Sequence, residues 1–321
     1  MITLDRISKT FPGTDIPAVD RVSFQVNAGN ICVFVGPSGC GKTTILRMIN
    51  RLEEPSSGRI TVNGQDIMSL DPAVLRRTIG YVIQQIGLLP HKTIEQNVSL
   101  VPELLNWPKS KIKARVTELL VLVGLDPGTV GRKYPHQLSG GQSQRVGVAR
   151  AMAADPPIML MDEPFGAVDP IVRIHLQDEF LRLQQHLKKT ICFVTHDINE
   201  AVKMGDYLII LNMGRLIQMG TPLEVLTEPA DDFVLNLLGD DRGVKILDLT
   251  RCETLMDRDR NFPYNPDSCL IQSVKPVKIA LELMMKKNID QVGVCKGERI
   301  VGVLTWNSIK EHISRVSRDR P

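Results

Sequence analysis

The eight residues GPSGCGKT, Gly36 to Thr43, constrain this chain more than any others. They fit the pattern GxxxxGK[ST], follow the apolar run ICVFV (31–35), and open a helical pattern over 43–51. A buried strand, a glycine-rich loop and a helix in that order form a cradle for an anion. Glycine removes the Cβ from the path of a ligand, so successive backbone N–H groups can converge on phosphate oxygens. The helix start adds its positive dipole end. The reading therefore assigns Gly36, Pro37, Ser38, Gly39, Cys40, Gly41, Lys42, Thr43 and Thr44 to a phosphate cradle. Lys42 reaches the outer phosphates and the Thr43 hydroxyl is a ligand for Mg²⁺.

The pattern around the cradle is that of an α/β domain. ICVFV, IMLM (158–161), ICFVT (191–195) and YLIIL (207–211) read as strands buried on both faces. Helical patterns near 43–51, 109–123, 142–154 and 171–188 alternate with them, which predicts a largely parallel sheet. Two early runs, ITLDRISKTF and VSFQV, alternate apolar with polar and predict an antiparallel, half-exposed subsheet. The alternation stops near Leu238-Gly239. The expected domains are therefore 1–238 and 239–321, the second a small βαββα unit entered through the polar loop DRDRNFPYNPDS.

Totals agree with this division. A length of 321 residues suits about two domains. A hydrophobic share of 43% with 23% charged residues suits a soluble core. The net charge of +3 is too small to argue for nucleic acid. No run approaches the ~18 apolar residues of a membrane span, and MITLDRISKTF lacks the apolar core of a signal peptide, so a cytosolic chain is expected. The six cysteines, at 32, 40, 192, 252, 269 and 295, form no metal-ligand spacing and read as reduced thiols.

Two further stretches carry chemistry. In IMLMDE the buried strand ends in Asp162, where a carboxylate meets a phosphate-bound Mg²⁺, and Glu163 follows as the candidate general base. In LSGGQSQRVGVARA, Ser139 reads as a helix cap followed by Gly140, Gly141 and Gln142. That second helix start also suits phosphate. With one cradle already present, it implies a second nucleotide or a second chain.

Over roughly residues 1–238 this ordered set resembles the nucleotide-binding subunit of ATP-binding cassette (ABC) transporters. The resemblance makes GPSGCGKT the Walker A loop, IMLMDE the Walker B strand and LSGGQ (138–142) the signature. It implies an adenine-stacking role for Phe11, a Q-loop glutamine in YVIQQ at Gln84 (Gln85 being the alternative), a D-loop at Asp169 in GAVD, and a switch histidine at His196 in VTHD. The implied fold is a RecA-like core with an antiparallel β subdomain and a helical subdomain. The implied activity is Mg²⁺-dependent ATP hydrolysis, with Glu163, His196, Gln84 and Asp169 in catalytic roles and Thr43, Gln84 and Asp162 at the metal. Family members pair head to tail, so one signature faces the Walker A loop of the other copy. A homodimer is therefore implied, seated on the cytoplasmic face of the membrane against integral-membrane permease subunits supplied by an extracytoplasmic substrate-binding protein.

YVIQQIGLLPHKTIEQN, YPHQLSGGQ and MDEPFGAVDP together resemble the ATPases of osmoprotectant importers, which move glycine betaine, choline, carnitine or related quaternary amines. Residues about 244–316 resemble one CBS motif. The acid that ends such a nucleotide-binding unit is replaced here by Ser308, beside Asn307 and after Thr305. The rival readings are an importer ATPase for another solute, an exporter, and a soluble ABC ATPase acting on DNA or ribosomes. The last lacks support because the Walker A to signature gap holds no coiled coil and the chain has one cassette.

Overall fold

In a computed structural model, residues 1–83, 87–166, 168–259 and 269–317 are described. The chain divides into two units, Met1–Met219 and Gly220–Pro321, each taken by itself below. The division falls ahead of Leu238-Gly239, where the alternation in the sequence stops. The reason is that helices following Pro222 pack on later helices of the same unit, α9 (Pro222–Thr227) against α11 (Arg242–Leu249).

The first unit holds two sheets. One has the order β2-β1-β4-β5, built from β1 (Ile2–Lys9), β2 (Val19–Val26), β4 (Ser57–Val62) and β5 (Gln65–Asp66), with antiparallel pairing throughout. The predicted antiparallel subsheet is thus present, and β2 buries alternate residues as a one-sided strand should. The other has the order β10-β9-β3-β8-β7-β6: β3 (Ile31–Val35), β6 (Ile79–Val82), β7 (Ile158–Asp162), β8 (Thr190–Val194), β9 (Tyr207–Asn212) and β10 (Arg215–Gly220). Strands β6, β7, β8, β3 and β9 run parallel. Every residue of β3, β7 and β8 is buried, which is why those runs carry no polar alternation. A shared core joins the sheets: Ile2, Phe24 and Val26 from one meet Phe34, Leu160 and Cys192 from the other, with Phe24 and Phe34 rings 5.5 Å apart.

Helices α1 (Lys42–Ile49), α2 (Pro72–Arg77), α3 (Ile94–Leu104), α4 (Lys109–Leu122), α5 (Pro127–Val130), α6 (Gly140–Met152), α7 (Pro170–Leu187) and α8 (Ile198–Met204) complete this unit. α3, α4 and α6 pack together as a helical subdomain. In the second unit α9, α10 (Asp232–Leu238), α11 and α12 (Cys252–Leu255) precede β11 (Leu270–Gln272), α13 (Val277–Lys287), β12 (Gln291–Lys296), β13 (Arg299–Thr305) and α14 (Trp306–Ser317). Strands β11 and β12 are parallel, β12 and β13 antiparallel, and Val292, Val294, Leu304, Met284 and Ile309 fill the core. That β-α-β-β-α order is the one the sequence pattern predicts. Among the described residues no helix is long and apolar enough to cross a membrane.

Candidate functional site

Parallel pairing sends the C-terminal ends of β3, β7 and β8 to one edge of the sheet. Phe34 and Asp162 both lie level with Val194 in the ladder. The loop after β3, the acids after β7 and the histidine after β8 therefore meet without any long-range coincidence of loops. This is the edge where open α/β sheets hold ligands.

The loop Gly36–Gly41 is shaped by its own chain. A Cβ on Gly36 would lie 2.1 Å from the Leu211 carbonyl oxygen, and one on Gly41 would lie 2.5 Å from that of Ala18. Both also take positive φ, 150° and 103°. The glycines at these two positions thus answer crowding from behind, as well as giving a ligand access in front. Pro37, Ser38 and Gly39 are exposed at the crest. Helix α1 starts at Gly41 with no side-chain cap and no acid in its first turn, so the N–H groups of Lys42, Thr43 and Thr44 have no side-chain acceptor among the described residues. α3, α6, α7 and α8 instead begin with Thr93, Ser139, Asp169 and Asp197 as caps.

The Lys42 ammonium is buried and donates to the carbonyls of Gly36 (2.7 Å) and Pro37 (2.8 Å), with Cys40 Sγ at 3.7 Å. Cys40 turns its thiol inward, only 4% exposed; burial pushes the thiol's pKa up, opposed by the Lys42 charge. It therefore lines the loop with backbone only. Thr43 Oγ1 donates to Asp162 Oδ1 at 3.1 Å, joining the first turn of α1 to the end of β7. Asp162 is 3% exposed. Burial raises its pKa, the hydrogen bond from Thr43 lowers it, and the neighbouring Glu163 raises it again.

Glu163 follows β7 in a left-handed backbone, φ 48°, its N–H held by the Val194 carbonyl at 3.0 Å. Left-handed backbone is uncommon for a residue other than glycine and costs energy that surrounding bonds must hold. The turn brings Glu163 Oε1 to 3.1 Å from His196 Nδ1, where an Nδ1–H donates to the carboxylate. His196 itself is exposed.

Ser139 caps α6 in a reciprocal box: its Oγ accepts the Gln142 N–H at 3.2 Å and Gln142 Oε1 accepts the Ser139 N–H at 3.1 Å. Its hydroxyl proton is left over for another acceptor. Ser139 and Gly140 are exposed and Gly141 is half-buried. Asp169 caps α7 through the N–H groups of Ile171 and Val172, at 3.0 and 3.4 Å. Phe11 lies past β1, half-buried, under the Lys9 ammonium at 5.0 Å. Its loop returns through Ala18, the residue against Gly41. Gln84 and Gln85 lie outside the described residues.

One residue of the site escaped the sequence reading. Gln144, buried in α6, donates Nε2 to the Glu163 carbonyl at 2.9 Å and so ties the signature helix to the acid. Its only signal was a polar residue on the inner face of an amphipathic helix, which periodicity alone cannot separate from a boundary position.

A family model described as ABC transporter matches residues 19–166. The choline transport ATP-binding protein OpuBA of Bacillus subtilis (strain 168) is 50% identical over 303 residues, 94% of this chain and 77% of the relative. The chain belongs to the ABC transporter family. The osmoprotectant import ATP-binding protein OsmV of Salmonella typhimurium is 48% identical, across 85% of this chain and 72% of that one. Among solved ABC transporter cassettes, one described as dimeric superimposes with a TM-score of 0.65 at 34% identity, covering 69% of this chain and 99% of its own. The same cassette in a post-hydrolysis state bound to ADP and Pi gives 0.64 at 33% identity, with the same coverage of both chains. The ABC assignment accounts for the parallel core, antiparallel subsheet and helical subdomain.

Proposed function

We propose that this chain is the ATP-hydrolysing subunit of an importer for a small quaternary amine osmoprotectant. The observation that carries the reading is the meeting, at one sheet edge, of the Lys42 loop, the Thr43–Asp162 pair and the Glu163–His196 pair. The residues suit a nucleotide. The α1 start has N–H groups without side-chain acceptors, and Lys42 donates to loop carbonyls whose place phosphate oxygens can take. Thr43 and Asp162 are hard oxygen donors fit to hold Mg²⁺, joined by Gln84 from the family pattern. Among the described residues no group of three or more His, Cys, Asp or Glu is arranged to hold a metal ion by itself. When bound, Mg²⁺ neutralises phosphate charge.

Each residue then has a task. Phe11 stacks on the base. Glu163 accepts a proton from the attacking water while the water oxygen bonds to the γ-phosphorus and the bond to the bridging oxygen breaks, releasing ADP and phosphate. His196 holds the Glu163 carboxylate in line through Nδ1, and Gln144 fixes the backbone beneath it. Ser139, Gly140, Gly141 and Gln142 of a second copy donate to the γ-phosphate, and Asp169 lies at the start of the helix between the two sites. Two copies then form two composite sites on the cytoplasmic face of a membrane permease, supplied by an extracytoplasmic binding protein. Similarity to OpuBA and OsmV supports the solute class.

The C-terminal unit, with its β-α-β-β-α order, is read as a single CBS-like element that dimerises or regulates. At the position of the missing acid, Ser308 and Thr305 exchange hydrogen bonds of 3.1 Å that close the start of α14. That supports a structural use of the position over ribose binding.

The test is uptake of labelled choline, glycine betaine and carnitine by the chain's own host after deletion of its gene. Uptake of at least one solute should fall and return with the wild-type chain but not with Glu163→Gln. Unchanged uptake of all three would overturn the solute class.

A further inference from the structure

We propose that Gly214, in the turn between β9 and β10, is a positioning residue that sets the Phe11 loop against the phosphate loop. The inference rests on the ATPase reading, in which Phe11 stacks on the base, and extends it to a residue outside the motifs. Two separate loops hold the base and the phosphates of one nucleotide, so the spacing between them decides whether both are gripped at once.

The turn touches both loops. On the phosphate side, the Gly214 N–H donates to the Cys40 carbonyl at 3.2 Å. Leu211, near the end of β9, supplies the carbonyl that crowds Gly36. On the base side, the Gly214 carbonyl accepts the Asp20 N–H at 2.8 Å. Arg215 Nε donates to Asp20 Oδ2 at 2.8 Å, and Arg21 Nε donates to Oδ1 at 3.2 Å. The bond from Arg215, helped by Arg21 and opposed by burial, holds the Asp20 carboxyl below its ordinary range.

Those bonds alone do not demand a glycine; the packing does. Gly214 has φ 78°, and a Cβ there would lie 3.0 Å from the Ala18 carbonyl oxygen and 3.1 Å from that of Pro17. Gly41 of the phosphate loop meets the same Ala18 carbonyl. One peptide of the Phe11 loop thus packs on two residues without side chains, one in the phosphate loop and one in the turn. The loop is closed on itself, so a shift at Ala18 reaches Phe11. The Ala18 N–H donates to the Lys9 carbonyl at 2.8 Å, and the Thr14 N–H and Oγ1–H donate to the Phe11 carbonyl at 3.2 and 2.9 Å. A side chain at position 214 therefore displaces Pro17 and Ala18, and the Phe11 ring with them.

The experiment measures dissociation constants of Mg²⁺-ATP and of inorganic tripolyphosphate, which has the phosphates without the base, on the full chain. Phe11→Ala should weaken ATP by about 5- to 150-fold, the range that stacking on an aromatic ring supplies. Gly214→Ala should weaken ATP about 5-fold while tripolyphosphate stays within about 2-fold. Gly214→Asn accepts the left-handed backbone but keeps the Cβ, so it should show the same loss. In a Phe11→Ala background neither substitution should weaken ATP further, because the effect passes through the ring. Arg215→Ala changes an exposed side chain and covers the case of an insoluble Gly214 variant; it should weaken ATP about 3-fold and spare tripolyphosphate. Four results would each overturn the inference alone: unchanged ATP binding in Gly214→Ala and Arg215→Ala, equal losses for ATP and tripolyphosphate, wild-type affinity in Gly214→Asn, or losses that multiply in the Phe11→Ala background. Full ATP affinity in Phe11→Ala would overturn the stacking role, and a wild-type chain that binds no ATP would overturn the ATPase reading; the inference falls with either.

Discussion

At the start of α1 the chain leaves no room for a side chain, because the carbonyls of Leu211 and Ala18 crowd Gly36 and Gly41 from behind. At the start of α6 a Cβ on Gly140 would meet nothing within 4 Å. The first helix begins without a side-chain cap, and the second is closed by the Ser139–Gln142 box. The two glycine-bearing loops thus answer different demands. One is shaped by its own chain and leaves its N–H groups to a ligand. The other ties its Ser139 and Gln142 N–H groups to each other's side chains, and its Gly140 meets nothing of its own chain that would exclude a Cβ.

Substitutions in and between the two loops test this contrast. The largest effect is expected at the proposed general base: Glu163→Gln should lower kcat by about 10²–10⁴-fold with ATP still bound. Turnover near the wild-type rate, measured with ATP affinity by titration, would remove Glu163 as general base. Next come the glycines. Gly36→Ala and Gly41→Ala should each cost about 3 kcal/mol or more in denaturant unfolding, since a strained backbone and an overlap must both be relieved. Gly140→Ala should leave stability unchanged or raise it by up to about 1 kcal/mol, while lowering ATPase activity. Equal stability losses at all three positions would erase the contrast. Ser139→Ala should cost about 1 kcal/mol through the lost cap.

The smallest effect is one of pH, at Asp162. Burial raises its folded pKa above the ordinary 3.8, so the fold disfavours the charged carboxylate. Its contribution to stability is full below that ordinary value and is lost as pH climbs through the raised one. Ligand-free Asp162→Asn should therefore be more stable than wild type at neutral pH, with the advantage fading in acid. Unfolding curves across that range check the sign, and a variant less stable at neutral pH would contradict it.

The parallel strands β3, β7, β8 and β9 were legible in the sequence because burial on both faces leaves no polar position to confuse the pattern, and β1–β2 because burial on one face leaves a period of two; β6 was missed, since four residues with Gly80 among them make too short a run. Helix α3 was harder: its run mixes polar and apolar residues and contains Pro102, although the Thr93–Gln96 box marks its start. The short helices α8 to α11 have too few turns to show a period. In the candidate site, Lys42 and Thr43, and Asp162 and Glu163, stood out in the sequence because each pair sits in a short pattern at the end of an apolar strand, and the structure brings Thr43 to Asp162. Gln144 did not, because it acts on a backbone carbonyl, that of Glu163, distant in sequence. The inward turn of Cys40 depends on Gly36 lacking a Cβ, which would lie 2.8 Å from its sulfur.

In the proposed mechanism each nucleotide site is finished by a second copy of the chain. It is tested most directly by mixing two inactive proteins, Lys42→Ala and Ser139→Arg, and measuring ATP hydrolysis. In a mixed pair, the sound phosphate loop of one chain faces the sound signature of the other. Activity should rise from near zero to about a quarter of wild type, since about half the pairs are mixed and each has one intact site. Activity that stays at the level of the separate variants would mean that no site is shared between copies.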